Sequence, residues 1–584
     1  MTLDTDISEA QRLLQAGQYK QAHKQARTMI RQHPKSPVPL NLAGVALGAL
    51  QKPREALDMF TRAARLDPAF HDARKNLAQT YLVLGQADKA QKLLVPLSAA
   101  MPGDFGVWYL LAQARAATGQ TAAAIAAATS AIAIAPRQAS GYRLRALLRV
   151  QNGRIGEAIE DYEAALEIAP EDVDTLTNIS LPLARHLRSD DALARVRRAV
   201  ELAPGHIPAR VRLAMQLSEM GRTEDAIAEY RRILSLEPGQ ADAIERLSQL
   251  LPSDQTEEIA AQARTALKSA SRGGEARAAL NYALALIERG QGNEEEAARQ
   301  LAQANRDMAR LLPYDGAADR ALHDQLKARF AEPFAPGDTA TAATPVPIFV
   351  VGLPRSGTTL VEAMLGRHPE VVALGERAEP GFLLKPLIDS GLPFDAAAIA
   401  EFIDEDRRLL PQPAQQARAY VDKMPENYRL TGFLKAAYPH CRIVNVRRDP
   451  RDVALSMWQA HFSGAALSYT YDLAAMAQRF NLYGAMMAHW HRVLEGAILD
   501  LRYEDVVADV TAASRTLAQF CDLEWVPEMA EPHLGEGQVL TLSANQLRRP
   551  VHARSVGRWK AHEAELAEFM AGLDPQVWPE IAQS

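Results

Sequence analysis

Small and apolar residues fall in register along the first half of the chain. Proline recurs every 34 residues from Pro34 through Pro68, Pro102, Pro136, Pro170 and Pro204 to Pro238. Alanine keeps the same interval from Ala22 to Ala226, and a bulky column follows at Phe60, Leu94, Tyr162, Val196 and Tyr230. Glycine holds it at Gly17, Gly85, Gly119, Gly153 and Gly221, with Gln51 and Leu187 in the two missing places. Each column has a physical reading. Glycine releases the turn between two helices. Alanine lets the second helix approach the first. Proline ends the second helix because it cannot continue the backbone ladder. The pattern predicts seven helical hairpins. One hairpin cannot bury its apolar face alone, so neighbours stack and leave a concave groove.

A 34-residue unit with these marks resembles the tetratricopeptide repeat. After Pro238 the period blurs, but helices are predicted over 241–251 and 256–270. A helical hairpin is expected over 275–312 around Gly290, and one more helix over 317–330. Residues 331–347 are rich in Pro, Ala and Thr and read as a linker. Beyond them the pattern changes to short β-type runs: PIFVVG, then VVALGE from Val371, RIVNV from Arg442 and AILDLRY from Ala497. Helical stretches lie between, at 359–367 and 452–461. That alternation predicts an α/β domain with a mainly parallel sheet. The expected organisation is a helical-repeat solenoid over 1–315, a helix and linker over 316–345, and the α/β domain over 346–584.

Composition narrows the function. The net charge of -6, with 23% charged residues, argues against a general nucleic-acid binder, which needs a strongly basic surface. Cys441 and Cys521 cannot build a disulfide framework or a zinc cluster by themselves and read as buried apolar residues. The start, MTLDTDISEAQ, lacks the basic and apolar regions of a secretory signal. No run is long enough to span a bilayer, so a cytoplasmic location is expected.

The chemistry concentrates in the second half. VVGLPRSGTTL, 350–360, carries an apolar strand into a Gly- and Thr-rich turn and then a helix. Backbone N–H groups and the helix dipole at such a turn favour an anion. Gly352 and Gly357 occupy the glycine places of the nucleotide-triphosphatase signature G-x-x-x-x-G-K-[ST], but Thr358 stands where its lysine belongs. A kinase or nucleotide triphosphatase would need that lysine.

PRSGTTL resembles the 5′-phosphosulfate loop of sulfotransferases, and RRDPRDVALSMW, 447–458, resembles their 3′-phosphate motif. The chain as a whole resembles bacterial repeat-containing sulfotransferases. Its C-terminal part is similar to protein-tyrosine sulfotransferases. The resemblance implies an N-terminal tetratricopeptide superhelix followed by a P-loop-type α/β domain, with 3′-phosphoadenosine 5′-phosphosulfate (PAPS) as donor and no metal. It places Arg355, Ser356, Gly357, Thr358 and Thr359 on the 5′ side, with Arg448 and Ser456 on the 3′-phosphate. By the same resemblance Glu376 is the base for an acceptor hydroxyl, and Lys423 and Ser543 steady the leaving group. Arg558 would lie on the donor phosphates. Bland readings stand beside these roles. Glu376 could instead pair with Arg377, and Lys423 could be a solvated lysine. Arg548, Arg549, Arg554 and Arg558 could form a solvated basic face. His489 and His491, two residues apart, do not share a helix face and read as ordinary core or surface histidines. Tyr503 and Glu504 end a strand and read as structural. One departure bears on the acceptor: relatives acting on acidic peptides have arginine where this chain has Glu379. A peptide or protein acceptor in the repeat groove, a glycan, a lipid and a small phenol all stay open. So do a homodimer built by the repeats and a scaffold whose transferase domain has lapsed.

Overall fold

The computed structural model describes residues 3–334, 344–462, 464–535 and 547–583. The chain divides into two compact units, Met1–Thr175 and Leu176–Ser584.

The first unit is a run of antiparallel helix pairs, beginning Leu3–Gln15 and Tyr19–Gln32 and ending with Ala139–Gln151 and Ile155–Ile168. The column residues do what their chemistry predicts. Ala22, Ala56, Ala90, Ala124 and Ala158 are at most 1% exposed. Each proline follows directly on a helix C-cap, such as His33, Asp67 and Met101. The two gaps in the glycine column keep the conformation without the residue: Gln51 has φ 59° and Leu187 φ 62°, beside 72° at Gly17. The backbone requirement belongs to the turn, and a side chain there tolerates the left-handed strain.

In the second unit the repeats continue. The first helix of the sixth hairpin is broken at Ile179 into Val173–Asn178 and Ser180–Arg185. Pro182 supplies the reason, since it cannot donate to the Asn178 carbonyl. The helices Glu275–Gly290 and Glu294–Leu311 form the hairpin expected around Gly290. They do not stand apart from the α/β domain. Tyr282, Leu301 and Met308 share one apolar core with Phe349, Phe433, Phe480 and Trp490. Asn305 Nδ2 donates to the Trp458 carbonyl at 3.0 Å, and His461 Nδ1 lies 2.9 Å from Glu245 Oε2. The stretch read as a linker also starts inside this core. The Phe330 ring packs edge-on against Phe433 at 4.9 Å, and Phe334 N–H donates to the Val493 carbonyl.

The sheet has five strands: β1 Val346–Gly352, β2 Val371–Ala373, β3 Ala419–Asp422, β4 Arg442–Arg447 and β5 Ile498–Arg502. Their order is β2-β3-β1-β4-β5 and every pairing is parallel. β1 is central and buried on both faces, which explains its unbroken apolar run. Ligands of such sheets bind beyond the carboxyl ends of the strands, where connections diverge to either side. β1 and β4 end side by side at Gly352 and Val446, so the loops after them face the same crevice. Cys441 and Cys521 are both buried, and burial pushes each thiol up to about 12. Among the described residues, no helix is long and apolar enough to cross a membrane.

Candidate active site

The loop after β1 turns sharply. Gly352 has φ 149°, and a Cβ there would lie 2.7 Å from the Val446 carbonyl oxygen of β4. Arg355 is held at φ 71° and Gly357 at φ 105°. The helix Thr358–Gly366 then starts, with Thr358 and Thr359 buried at its first turn. Gly357 is also a close-approach position, since a Cβ would lie 2.4 Å from Tyr503 Cδ2.

The second motif meets this loop. Ser456, on the helix Pro450–Trp458, accepts from Arg355 Nε at 3.0 Å. Arg448, just beyond β4, donates from Nη1 to the Arg355 carbonyl at 3.2 Å and from Nη2 to the Ser555 carbonyl. Its guanidinium lies 4.6 Å from the centre of the Tyr503 ring. Burial, then the neighbouring Arg448 charge, pushes Arg355 down to about 10, which leaves it charged at neutral pH. Ser356 Oγ and Arg448 Nε are buried polar atoms with no protein partner. Unsatisfied buried donors are costly, and an anion in the loop would satisfy both. The residues present therefore fit an anionic phosphate group at this place.

The third part of the site lies on the β2–β3 side. Glu376 follows β2 in a loop rather than ending the strand. Its Oε1 accepts from Lys423 Nζ at 2.7 Å. The glutamate side chain is 45% exposed and the lysine side chain 0%. Lys423 is thus a buried cation, not a solvated surface lysine. The pairing of Glu376 with Arg377 is also replaced: Arg377 points into the core and donates to Asp406 at 2.8 Å. Beneath Lys423 lies Glu362, whose Oε2 is 3.9 Å from Nζ and whose Oε1 accepts from Gly375 N–H at 2.7 Å. Burial pushes the Glu362 carboxyl up, while Lys423 pulls it down. Glu379 is 9% exposed, begins the helix Glu379–Ser390 and lies 3.9 Å from Arg377. Burial raises its carboxyl too. Glu379 does not present a solvated charge.

The remaining candidates divide. Arg558 is exposed at the first position of a short 3-10 turn behind Gly557. Ser543 lies outside the described residues. His491 pairs with Asp500 at 3.2 Å and His489 with Arg492 at 3.3 Å. Three further residues line the site: Tyr503, which the sequence reads as structural, and Glu362 and Asp452, which sequence reasoning passed over. Tyr503 walls the loop, and its hydroxyl shares a 2.7 Å hydrogen bond with Ser555 Oγ. Asp452 accepts from Gly557 N–H at 2.6 Å and Trp559 N–H at 3.0 Å, fixing the C-terminal segment against the second motif. Glu362 had a signal, as the lone charge in the apolar helix TTLVEAMLG.

The model of the sulfotransferase family matches residues 347–527, which include both phosphate motifs, Glu376 and Lys423. Tetratricopeptide repeat models match 49–105, 109–173 and 207–240. The chain carries a sulfotransferase-family domain behind tetratricopeptide repeats. Similar proteins include an uncharacterized protein of Aquifex aeolicus (strain VF5), 30% identical over 237 residues, covering 38% of this chain and 31% of that one. A putative protein-tyrosine sulfotransferase of Caenorhabditis briggsae is 25% identical, covering 36% of this chain and 80% of that protein. Protein-tyrosine sulfotransferase 1 of Danio rerio is 25% identical, covering 40% and 73% respectively.

Proposed function

We propose that the protein transfers a sulfonyl group from 3′-phosphoadenosine 5′-phosphosulfate to an acceptor hydroxyl. The observation that carries this reading is the meeting of two motifs about 90 residues apart in sequence, through the Arg355–Ser456 and Arg448–Arg355 hydrogen bonds. When bound, the donor supplies an activated sulfonyl group with a phosphate as its leaving group.

The chain's own residues then have distinct tasks. The loop amides, Arg355, Ser356, Gly357, Thr358 and Thr359 hold the 5′ end at a helix N-terminus, where the dipole favours negative charge. Arg448 and Ser456 hold the 3′-phosphate, and Arg558 adds charge at the rim. Glu376 Oε1 takes the proton from the acceptor hydroxyl. Lys423 keeps Glu376 oriented and supplies the buried cation for charge that builds on the leaving oxygen. A preorganised cation in a site screened from water is a large source of rate enhancement. Ser543 is proposed beside Lys423 on the family resemblance alone.

A hydroxyl on a peptide or protein is the acceptor we favour, because tandem repeats offer an extended groove for a chain. Tyrosine is the narrower reading, supported by the relatives' names. Incubating the protein with ³⁵S-labelled donor and cell lysate tests the function. Label in protein hydroxyls is expected. Label appearing only as free sulfate would overturn the transfer reading.

A further inference from the structure

The helix Ile207–Glu219 ends, as all helices do, with carbonyls that its own ladder cannot satisfy. Met220, Gly221 and Arg222 N–H groups bond the carbonyls of Gln216, Ser218 and Leu217. The Glu219 carbonyl takes its bond from outside the repeats: Arg548 Nη2 donates to it at 3.0 Å, from 329 residues further along. A guanidinium there also complements the negative end of the helix dipole. Gly221, at φ +77°, makes the approach possible, since a Cβ would lie 2.5 Å from Arg548 Cζ. At Gly17, Gly85 and Gly119, the same turn position with φ between +70° and +75°, a Cβ would meet nothing within 4 Å. This turn is built against Arg548.

Seven residues after Arg548 the same segment reaches the phosphate motifs. The Ser555 carbonyl accepts from Arg448 Nη2 and Ser555 Oγ bonds the Tyr503 hydroxyl. Gly557 and Trp559 are fixed on Asp452, and the Arg451 guanidinium lies 3.8 Å from the centre of the Trp559 ring. Between the two attachments Arg549, Pro550, His552 and Arg554 are exposed. The segment is a strap fastened at its ends.

We propose that Arg548 is a positioning residue for the donor site: clamped on the repeat turn at Gly221, it holds the Ser555 carbonyl against Arg448, so that this turn sets the affinity for a 3′-phosphorylated adenosine nucleotide. The inference rests on the sulfotransferase reading of Arg448. A helix cap without this role would affect stability and leave nucleotide binding alone.

The test is calorimetric titration of the full chain with 3′-phosphoadenosine 5′-phosphate. The Arg548→Ala variant is expected to bind about tenfold more weakly, the scale of one hydrogen bond to a charged group. Arg548→Lys, which can still donate to the Glu219 carbonyl, should recover part of that loss. Gly221→Ala should weaken binding as Arg548→Ala does. Gly119→Ala carries the same backbone strain without the collision and should bind like wild type. If wild type binds while Arg548→Ala and Gly221→Ala stay within twofold of it, the strap inference is overturned and the sulfotransferase reading survives. If wild type does not bind, both fall.

Discussion

Replacing Lys423 by methionine separates the structural from the chemical role of the buried cation. The side chain is 0% exposed, with Glu376 Oε1 at 2.7 Å and Glu362 Oε2 at 3.9 Å. Methionine keeps most of the stem and removes the charge. Glu376 can turn to water, but buried Glu362 would be left with the Gly375 N–H. Breaking a buried ion pair from one side costs about 3–5 kcal/mol. Here proton uptake sets a ceiling. Neutralising a carboxyl with an ordinary value of 4.5 at pH 7 costs about 3 kcal/mol at 1.36 kcal/mol per unit, and the Glu362 carboxyl already lies above that value. Urea unfolding at pH 7 should therefore show Lys423→Met destabilised by about 2–3 kcal/mol. The sign with pH follows. A carboxyl raised in the folded state contributes stability that is present when protonated and is lost as pH rises. The deficit should shrink toward pH 5 and grow above pH 7. Adding Glu362→Gln should restore most of the stability and none of the label transfer. The reasoning is refuted if Lys423→Met is as stable as wild type at pH 7, or if the double variant regains transfer.

Glu376→Gln should retain nucleotide binding and lose about 10²–10⁴ in transfer rate, the range for a general base; transfer at the wild-type rate would remove Glu376 from its role. Gly357→Ala forces a side chain into φ 105° and against Tyr503. It should cost about 2–5 kcal/mol from backbone strain and overpacking together. Adding Tyr503→Ala should return part of it, and an unchanged unfolding midpoint for Gly357→Ala would contradict the geometry. Burial, opposed by Arg377, pushes the Asp422 carboxyl up to about 8. Its contribution to stability is fully present below about pH 4 and lost as pH rises through 8. Asp422→Asn should flatten stability between pH 4 and 8, and a slope identical to wild type would exclude this group as its source.

The repeat hairpins were legible because one backbone solution recurs seven times and each column has a single physical cause. The strands β1, β2, β4 and β5 were legible as short apolar runs. β3 was not among those runs, since Ala419–Asp422 offers only four residues and ends on a buried acid. The phosphate motifs could be read locally because a turn followed by a helix start is a local structure. What escaped depended on packing at long sequence separation. Nothing in the linear order places Tyr503 against Gly357, Arg548 on the Glu219 carbonyl, or the hairpin 275–311 in the core of the α/β domain. Lys423 could be matched to a role by resemblance, but its complete burial depends on the helix Thr358–Gly366 supplying Glu362 from the other side.

The central claim is that this loop holds a nucleotide phosphorylated at both the 5′ and the 3′ positions, without a metal. Titrating the full chain with 3′-phosphoadenosine 5′-phosphate in the presence of a chelator, alongside adenosine 5′-phosphate, tests it most directly. The account predicts saturable binding of the first, at least tenfold tighter than the second because Arg448 and Ser456 face the 3′-phosphate, a charge-assisted contact of about 1.5–3 kcal/mol. Equal affinity for the two nucleotides, or no binding of either, would contradict it.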